Sequence, residues 1–231
     1  MAGLRIALDG PGSSGKSSVG AAAALRIGYR FLDTGVLYRA ITLLSVERGV
    51  HAEDEAALVA LVPELELVPD DEGRMRRVRV DGVDVTERLH SPEVDRRVSA
   101  VSRVAGVRSA LLMTQRSLAA EGRIIVAGRD IGTVVLPDAD LKIYLEVSLE
   151  ERARRRTEER GLAADGPEGI AILADLRRRD HIDSTREVAP LRVPDDALII
   201  RSDGATFDET VGNVVTAIQD VLRRPPDATN A

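Results

Sequence analysis

A strand that runs into a glycine-punctuated loop and then a helix leaves few folds open, and residues 4–25 have that form. Leu4, Ile6, Ala7 and Leu8 read as a short buried strand ending at Asp9. Gly10, Gly12 and Gly15 then space out a loop that closes on Lys16-Ser17, and Val19 to Leu25 reads as a helix. This is the G-x-x-x-x-G-K-[ST] pattern, whose successive backbone N–H groups point inward and hold a chain of phosphates. Glycine is required where the backbone takes positive φ or meets the ligand without a Cβ. Lys16 reaches the outer phosphates as a compact charge, the Ser17 hydroxyl suits Mg²⁺, and the helix dipole adds to the anion site.

Composition narrows the classes. Of 32 basic residues only Lys16 and Lys142 are lysine. A chain that uses arginine nearly everywhere keeps an ammonium at the loop, where a point charge on a flexible stem is needed. The net charge of −6 argues against wholesale nucleic-acid binding, so a small anion requires local arginine clusters inside an acidic envelope. Three Tyr, two Phe and no Trp leave little for base stacking. The absence of cysteine excludes disulfides and thiolate metal sites and fits a reducing, cytoplasmic location. No apolar run reaches the length of a membrane span, and the chain enters strand pattern at once, which predicts no signal peptide. At 231 residues there is room for one sizeable core plus an insertion or mobile segment.

The remaining elements alternate. Tyr29 to Leu32 is a second strand, closed by Asp33-Thr34-Gly35, and Val36 to Gly49 is helical with Gly49 suited to the residue past the helix end. That turn places Thr34, Tyr38 and Arg39 at the carboxyl edge of the sheet, where open α/β sheets bind ligands. Residues 53–62 read as helix. Val78 and Val80, then Val83 and Val85, flank Asp81-Gly82, which predicts a hairpin pairing Val80 with Val83 and Val78 with Val85. Ser91-Pro92 opens further helix, and another runs from about Val107 to Ala120.

Arg123 to Ala127 is a buried strand leading into Gly128-Arg129-Asp130, and Leu141 to Val147 is another. Ser148-x-x-Glu151 and Thr206-x-x-Glu209 predict capping boxes for the helices after them. Two arginine-rich helices joined by the loose segment Gly161 to Gly169 form a candidate lid, although i,i+4 Glu/Arg pairing on solvated helices accounts for about half of those arginines. Ala197 to Arg201 is the last strand, and a tail at 224–231 is expected to be disordered. The alternation gives an α/β fold, a mainly parallel sheet wrapped by helices, with a small antiparallel insertion. A GTP switch needs an Asn/Thr-Lys-x-Asp element, and the only lysine outside the loop, Lys142, lies between Leu141 and Ile143. A DNA-linked ATPase lacks support in length and basic surface.

Gly10-Pro11 to Ser18, Asp33-Thr34-Gly35-x-x-Tyr38-Arg39, Gly128-Arg129-Asp130-Ile131-Gly132-Thr133-Val134-Val135 and Arg179-Asp180-x-x-Asp183-x-x-Arg186 occur in this order. Together they resemble bacterial cytidylate kinase, a P-loop nucleoside monophosphate kinase, over almost the whole chain. The resemblance implies one kinase domain over 1–231, a monophosphate-binding region near 36–108 that contains the hairpin, and a lid near 150–190. It implies ATP on Gly10, Pro11, Gly12, Ser13, Ser14, Gly15, Lys16, Ser17 and Ser18, with Mg²⁺ at Ser17. It further implies an acceptor phosphate on Arg39, Arg129 and Arg186, with Arg179 and a lid arginine, Arg155 or Arg156, near the transferred group. Asp183 would accept from ribose hydroxyls; Ser99 (with Ser102 as the alternative), Arg108 and Asp130 would read cytosine, and Thr34 and Tyr38 would line the pocket. The implied reaction moves the γ-phosphoryl group of ATP to CMP or dCMP in a monomer, with UMP or AMP as the alternative acceptor. Where the family commonly has an acidic residue before Gly-Arg-Asp this chain has Ala127, which leaves Asp9 or Asp33 to assist a metal.

Overall fold

A computed structural model describes residues 3–223, so the expected tail lies outside the described residues. In chain order the strands are β1 (Arg5–Asp9), β2 (Arg30–Asp33), β3 (Leu65–Pro69), β4 (Arg74–Val80), β5 (Val83–Asp84), β6 (Ile124–Gly128), β7 (Leu141–Glu146) and β8 (Leu198–Arg201). The helices are α1 (Lys16–Ile27), α2 (Gly35–Glu47), α3 (Glu55–Ala60), α4 (Pro92–Ser102), α5 (Ala105–Ala119), α6 (Leu149–Glu159), α7 (Pro167–Thr185) and α8 (Phe207–Arg223).

All described strands join one sheet in the order β3-β4-β2-β6-β1-β7-β8, with β5 on β4. Pairing is parallel from β4 through β8 and antiparallel only where β3 and β5 meet β4. The central strands are continuous apolar runs because helices cover both faces; every residue of β6 is buried. Ile6 and Ile125 pack with Val211 and Val214 of α8 on one face, while Leu32 and Val126 meet Ala119 of α5 on the other. A third cluster joins Ile41 of α2 to Leu58, Leu89 and Leu111. Each such Leu or Ile contributes about 1.5–3 kcal/mol when fully buried.

The hairpin forms as expected. Asp81 (φ 51°) and Gly82 (φ 78°) make the two-residue turn, Val80 pairs with Val83, and Val85 N–H donates to Val78 O at 2.9 Å. What the sequence pattern does not announce is β3, which pairs with β4 over most of its length and shifts register at Val68/Pro69. The antiparallel piece is also tied to the main sheet, since Phe31 and Leu32 pair with Arg74 and Met75. Both capping boxes start their helices, but only one closes. Thr206 and Glu209 exchange both bonds, whereas Ser148 accepts from Glu151 N and the Glu151 carboxylate turns to Arg154 and Arg155. No described helix is long and apolar enough to cross a membrane.

Candidate active site

The parallel register sets the carboxyl ends of β1, β2 and β6 side by side, with Asp9 opposite Gly128 and Asp33 opposite Ala127. Each strand leaves the sheet there into a loop or helix bearing charge, and a cleft of about 390 Å³ opens above them. Its floor is the glycine loop. Gly15 at φ 83° and Ser13 at φ 58° take left-handed backbone, turning the chain tightly into α1. For Ser13 that geometry costs of order 1–3 kcal/mol, a strain held at a functional loop. Lys16 is buried, and its Nζ donates to Pro11 O at 2.9 Å, which closes the loop on itself. Burial, and then the charge of Arg129, hold the Lys16 pKa well below its ordinary value. Ser13 to Ser18 line the cleft. Gly10 and Pro11 lie buried beneath, and Gly12 O accepts from the Arg152 guanidinium at 3.0 Å.

Asp9 and Asp33, both possible aids to a metal, separate here. The Asp9 carboxylate accepts from Ile131 N and Gly132 N at 2.8 and 2.7 Å, under the loop, and burial raises its pKa to about 6 against those two bonds. Asp33 accepts from Gly35 N at 2.9 Å and lines the cleft with Ser17. Asp33, not Asp9, therefore stands where an ion could be reached.

The arginines arrive from three separate stretches. Arg39 comes from α2, Arg129 from the exit of β6, Arg179 from α7 and Arg186 from the end of α7; all line the same cleft as Lys16. Each of three is aimed by a carboxylate. Arg129 Nε donates to Asp183 Oδ2 at 3.0 Å, Arg186 Nη2 lies 3.3 Å from Asp130 Oδ1, and Arg39 Nη1 lies 2.9 Å from Asp95 Oδ1. Arg179 differs, since its Nε is buried with no hydrogen-bond partner. Burial, and then Arg129, lower its pKa, as burial and then Arg108 lower that of Arg186. A cage of desolvated guanidinium groups is an unfavourable arrangement unless an anion completes it.

At the far end Arg108 Nη2 meets Asp130 Oδ2 at 2.5 Å, and its Cζ stands 5.3 Å over the Tyr38 ring. Asp130 thus spends one oxygen on Arg108 and the other on Arg186. Ser99 is buried and faces the cleft; Ser102 also lines it, but its hydroxyl donates to Ser99 O at 3.2 Å. Thr34 lines the same pocket while its Oγ1 donates to Ala127 O at 2.9 Å, a tie between β2 and β6. On the lid side Arg155 donates to Glu151 Oε1 at 2.7 Å and to Ser202 O, while Arg156 reaches Asp95 at 3.4 Å.

Three cleft residues and one carboxylate behind the cleft escape a reading of the sequence as motifs. Arg152, buried on α6, links the loop to α7 through Gly12 O and a 2.6 Å pair with Asp180. Its only sequence signal is membership of the α6 arginine run. His90 and Glu159 also line the cleft, and Asp95 lies buried on α4 against Arg39. Asp95 sits in the first turns of α4, where an acid is ordinary, so its pattern hides its role.

The model of the cytidylate kinase family matches residues 6–220. The cytidylate kinase of Rhodococcus opacus is 44% identical over 218 residues, covering 94% of this chain and 95% of that protein. That of Bacillus licheniformis is 42% identical over 217 residues, covering 93% and 96%. A crystal structure of an uncharacterized protein from Eubacterium ventriosum shares the fold at a TM-score of 0.52 and 13% identity, covering 94% of this chain and 98% of that one.

Proposed function

The chain belongs to the cytidylate kinase family, and from that premise we propose how its own residues carry a phosphoryl group from ATP to CMP or dCMP. The observation that carries the reading is the convergence of Lys16, Arg39, Arg129, Arg179 and Arg186 on one cleft. Phosphoryl transfer needs positioning and neutralisation of the equatorial oxygens rather than a dedicated base, and that set supplies both.

The donor phosphates lie on the loop Gly10 to Ser18, held by the N–H groups of its cleft-lining part, Ser13 to Ser18, while Gly10 and Pro11 shape the turn beneath. There Lys16 exchanges Pro11 O for phosphate oxygen, and added negative charge returns its pKa toward the ordinary ammonium range. The acceptor phosphate lies on the guanidinium forks of Arg39, Arg129 and Arg186, whose planar donors match its oxygens in pairs. Arg179 completes the line between the two phosphates with its unpartnered Nε. Arg156 on α6 approaches the transferring group when the lid closes, and Arg155, already held by Glu151 and Ser202, steers that helix. Asp183 presents its remaining acceptor capacity to the ribose.

Ser17 and Asp33 offer the hard oxygen donors that suit Mg²⁺ held mainly by phosphates and water. When bound, that ion offsets charge on the bridging oxygens. Cytosine lies against Ser99 and the Arg108–Asp130 pair, over Tyr38 and Thr34. An acceptor facing the exocyclic amine is satisfied by cytosine. Uracil presents a carbonyl instead and costs about 1–3 kcal/mol, or roughly 5- to 150-fold. The chain acts on free nucleotides as a cytoplasmic monomer; its net charge of −6 argues against wholesale nucleic-acid binding.

A coupled ADP-release assay across CMP, dCMP, UMP, AMP and GMP tests this. Highest kcat/KM for CMP and dCMP is expected; preferred turnover of AMP would reject the base assignment.

A further inference from the structure

Asp95 has more cationic neighbours than any single helix-surface acid needs. Its Oδ1 lies 2.9 Å from Arg39 Nη1 without the alignment of a hydrogen bond, so that buried oxygen keeps an unfilled acceptor position. Its Oδ2 takes Arg156 at 3.4 Å, with Arg160 at 3.8 Å. Arg39 belongs to the helix after the second strand and Arg156 to the lid, 117 positions apart in the numbering. One carboxylate on α4 therefore joins an acceptor-phosphate arginine to a lid arginine.

These same guanidinium groups face the cleft in which two phosphorylated nucleotides meet. A carboxylate is the smallest protein group that imitates a phosphate edge, with two oxygens of shared negative charge. We infer that Asp95 is a resident counter-ion of the arginine cage, one that holds Arg39 and Arg156 together and yields them to phosphate. The inference rests on the phosphate-transfer reading of the cleft and goes further, because it makes Asp95 a positioning residue that competes with substrate. A monoanion beside an incoming dianion lowers substrate affinity, and it also keeps the cage from repelling itself beforehand. At separations of several ångströms and intermediate dielectric, removing that like charge is worth about three- to tenfold in affinity.

The test compares wild type, Asp95→Asn and Asp95→Glu by calorimetric CMP binding, steady-state kinetics and thermal melting without nucleotide. Asp95→Asn should lower the Kd and KM for CMP about three- to tenfold while melting at lower temperature, since the lid clasp is lost. Asp95→Glu should restore weaker CMP binding and the higher melting point. A merely structural aspartate predicts weaker CMP binding in step with lost stability, and that result, or an unchanged Kd, overturns the inference. Should Asp95→Asn fail to fold by far-UV circular dichroism, Asp95→Ala, which any helix accommodates, carries the same comparison. If wild type itself shows no CMP-dependent ADP release, the phosphate-transfer reading fails and the role of Asp95 falls with it. If wild type is active and the variants bind CMP alike, only the role of Asp95 fails.

Discussion

The two halves of the cleft achieve order by different means. The donor half is one uninterrupted run, Gly10 to Ser18, whose shape comes from local backbone torsions and from Lys16 Nζ and Ser14 N–H donating to Pro11 O, with one outside tie from Arg152 to Gly12 O. The acceptor half is assembled from α2, α4, α5, the β6 exit and the end of α7, and carboxylates hold it in place: Asp95 for Arg39, Asp130 for Arg108 and Arg186, Asp183 for Arg129. A site built from adjacent residues is stabilised as the chain turns. A site built from distant ones depends on tertiary packing, and its functional residues also hold the fold together. Loss of function and loss of stability should separate in the first half and coincide in the second.

Lys16→Ala should give the largest functional effect, about a 10³-fold fall in kcat, with a melting temperature close to wild type. A large drop in melting temperature would show that the lysine holds the fold as well. Arg186→Ala should combine both losses. Its guanidinium is almost wholly buried, donates to Ala189 O at 2.6 Å and shares Asp130 with Arg108. About a 10²-fold loss in kcat/KM for CMP with about 2–3 kcal/mol of stability is expected, from coupled kinetics and urea unfolding. Full stability with the same kinetic loss would break the contrast between the halves.

Gly10→Ala probes a place where the donor half leans on β7. A Cβ there would sit 2.7 Å from Leu145 O, which is backbone and cannot swing away. The loop must shift, at about 1–3 kcal/mol, with the KM for ATP raised several-fold and that for CMP nearly unchanged. Equal rises in both KM values would place the damage beyond the loop.

The smallest effect concerns Asp9, which joins the halves by holding Ile131 and Gly132 beneath the loop. Its pKa is raised by burial from 3.8 to about 6, so the folded state holds the proton more tightly than the unfolded one. The contribution is complete below pH 4 and is lost as pH rises through 6. Between pH 4 and pH 7 the stability of Asp9→Asn should therefore gain on wild type by about 1–3 kcal/mol, read from denaturant unfolding at each pH. A constant difference would mean that Asp9 does not titrate in that window.

The same contrast decides what could be read from the sequence. The donor loop is legible because its chemistry is contiguous: three glycines, one of two lysines, and a serine at fixed spacing. The hairpin is legible for the same reason, as Asp81-Gly82 is a local turn signal. Strand β3 is not, because Leu65 to Pro69 ends in a proline, which a ladder tolerates only at an edge or an irregularity, and the structure puts it at both. Of the acceptor arginines, Arg39 is placed at the sheet edge by the turn before it, while Arg129 and Arg186 gain their roles only through resemblance to a family, since each alone is one more charge on a helix or loop. Arg152 and Asp95 stay hidden because nothing local marks an arginine or an aspartate that pairs across the fold. The five-residue turn Ile131–Val135, which supplies the amides that hold Asp9, enters the sequence only as part of the motif Gly128 to Val135, with no local signal for its helical turn.

The central claim is that donor and acceptor phosphates meet in one cleft. Calorimetric titration with a bisubstrate in which cytidine and adenosine are joined 5′ to 5′ through five phosphates tests it most directly. The expected result is one molecule bound per chain, at least 10²-fold tighter than either CMP or ATP, with most of that gain lost in Arg129→Ala. A bisubstrate that binds no tighter than ATP alone, or two molecules bound per chain, would contradict the account.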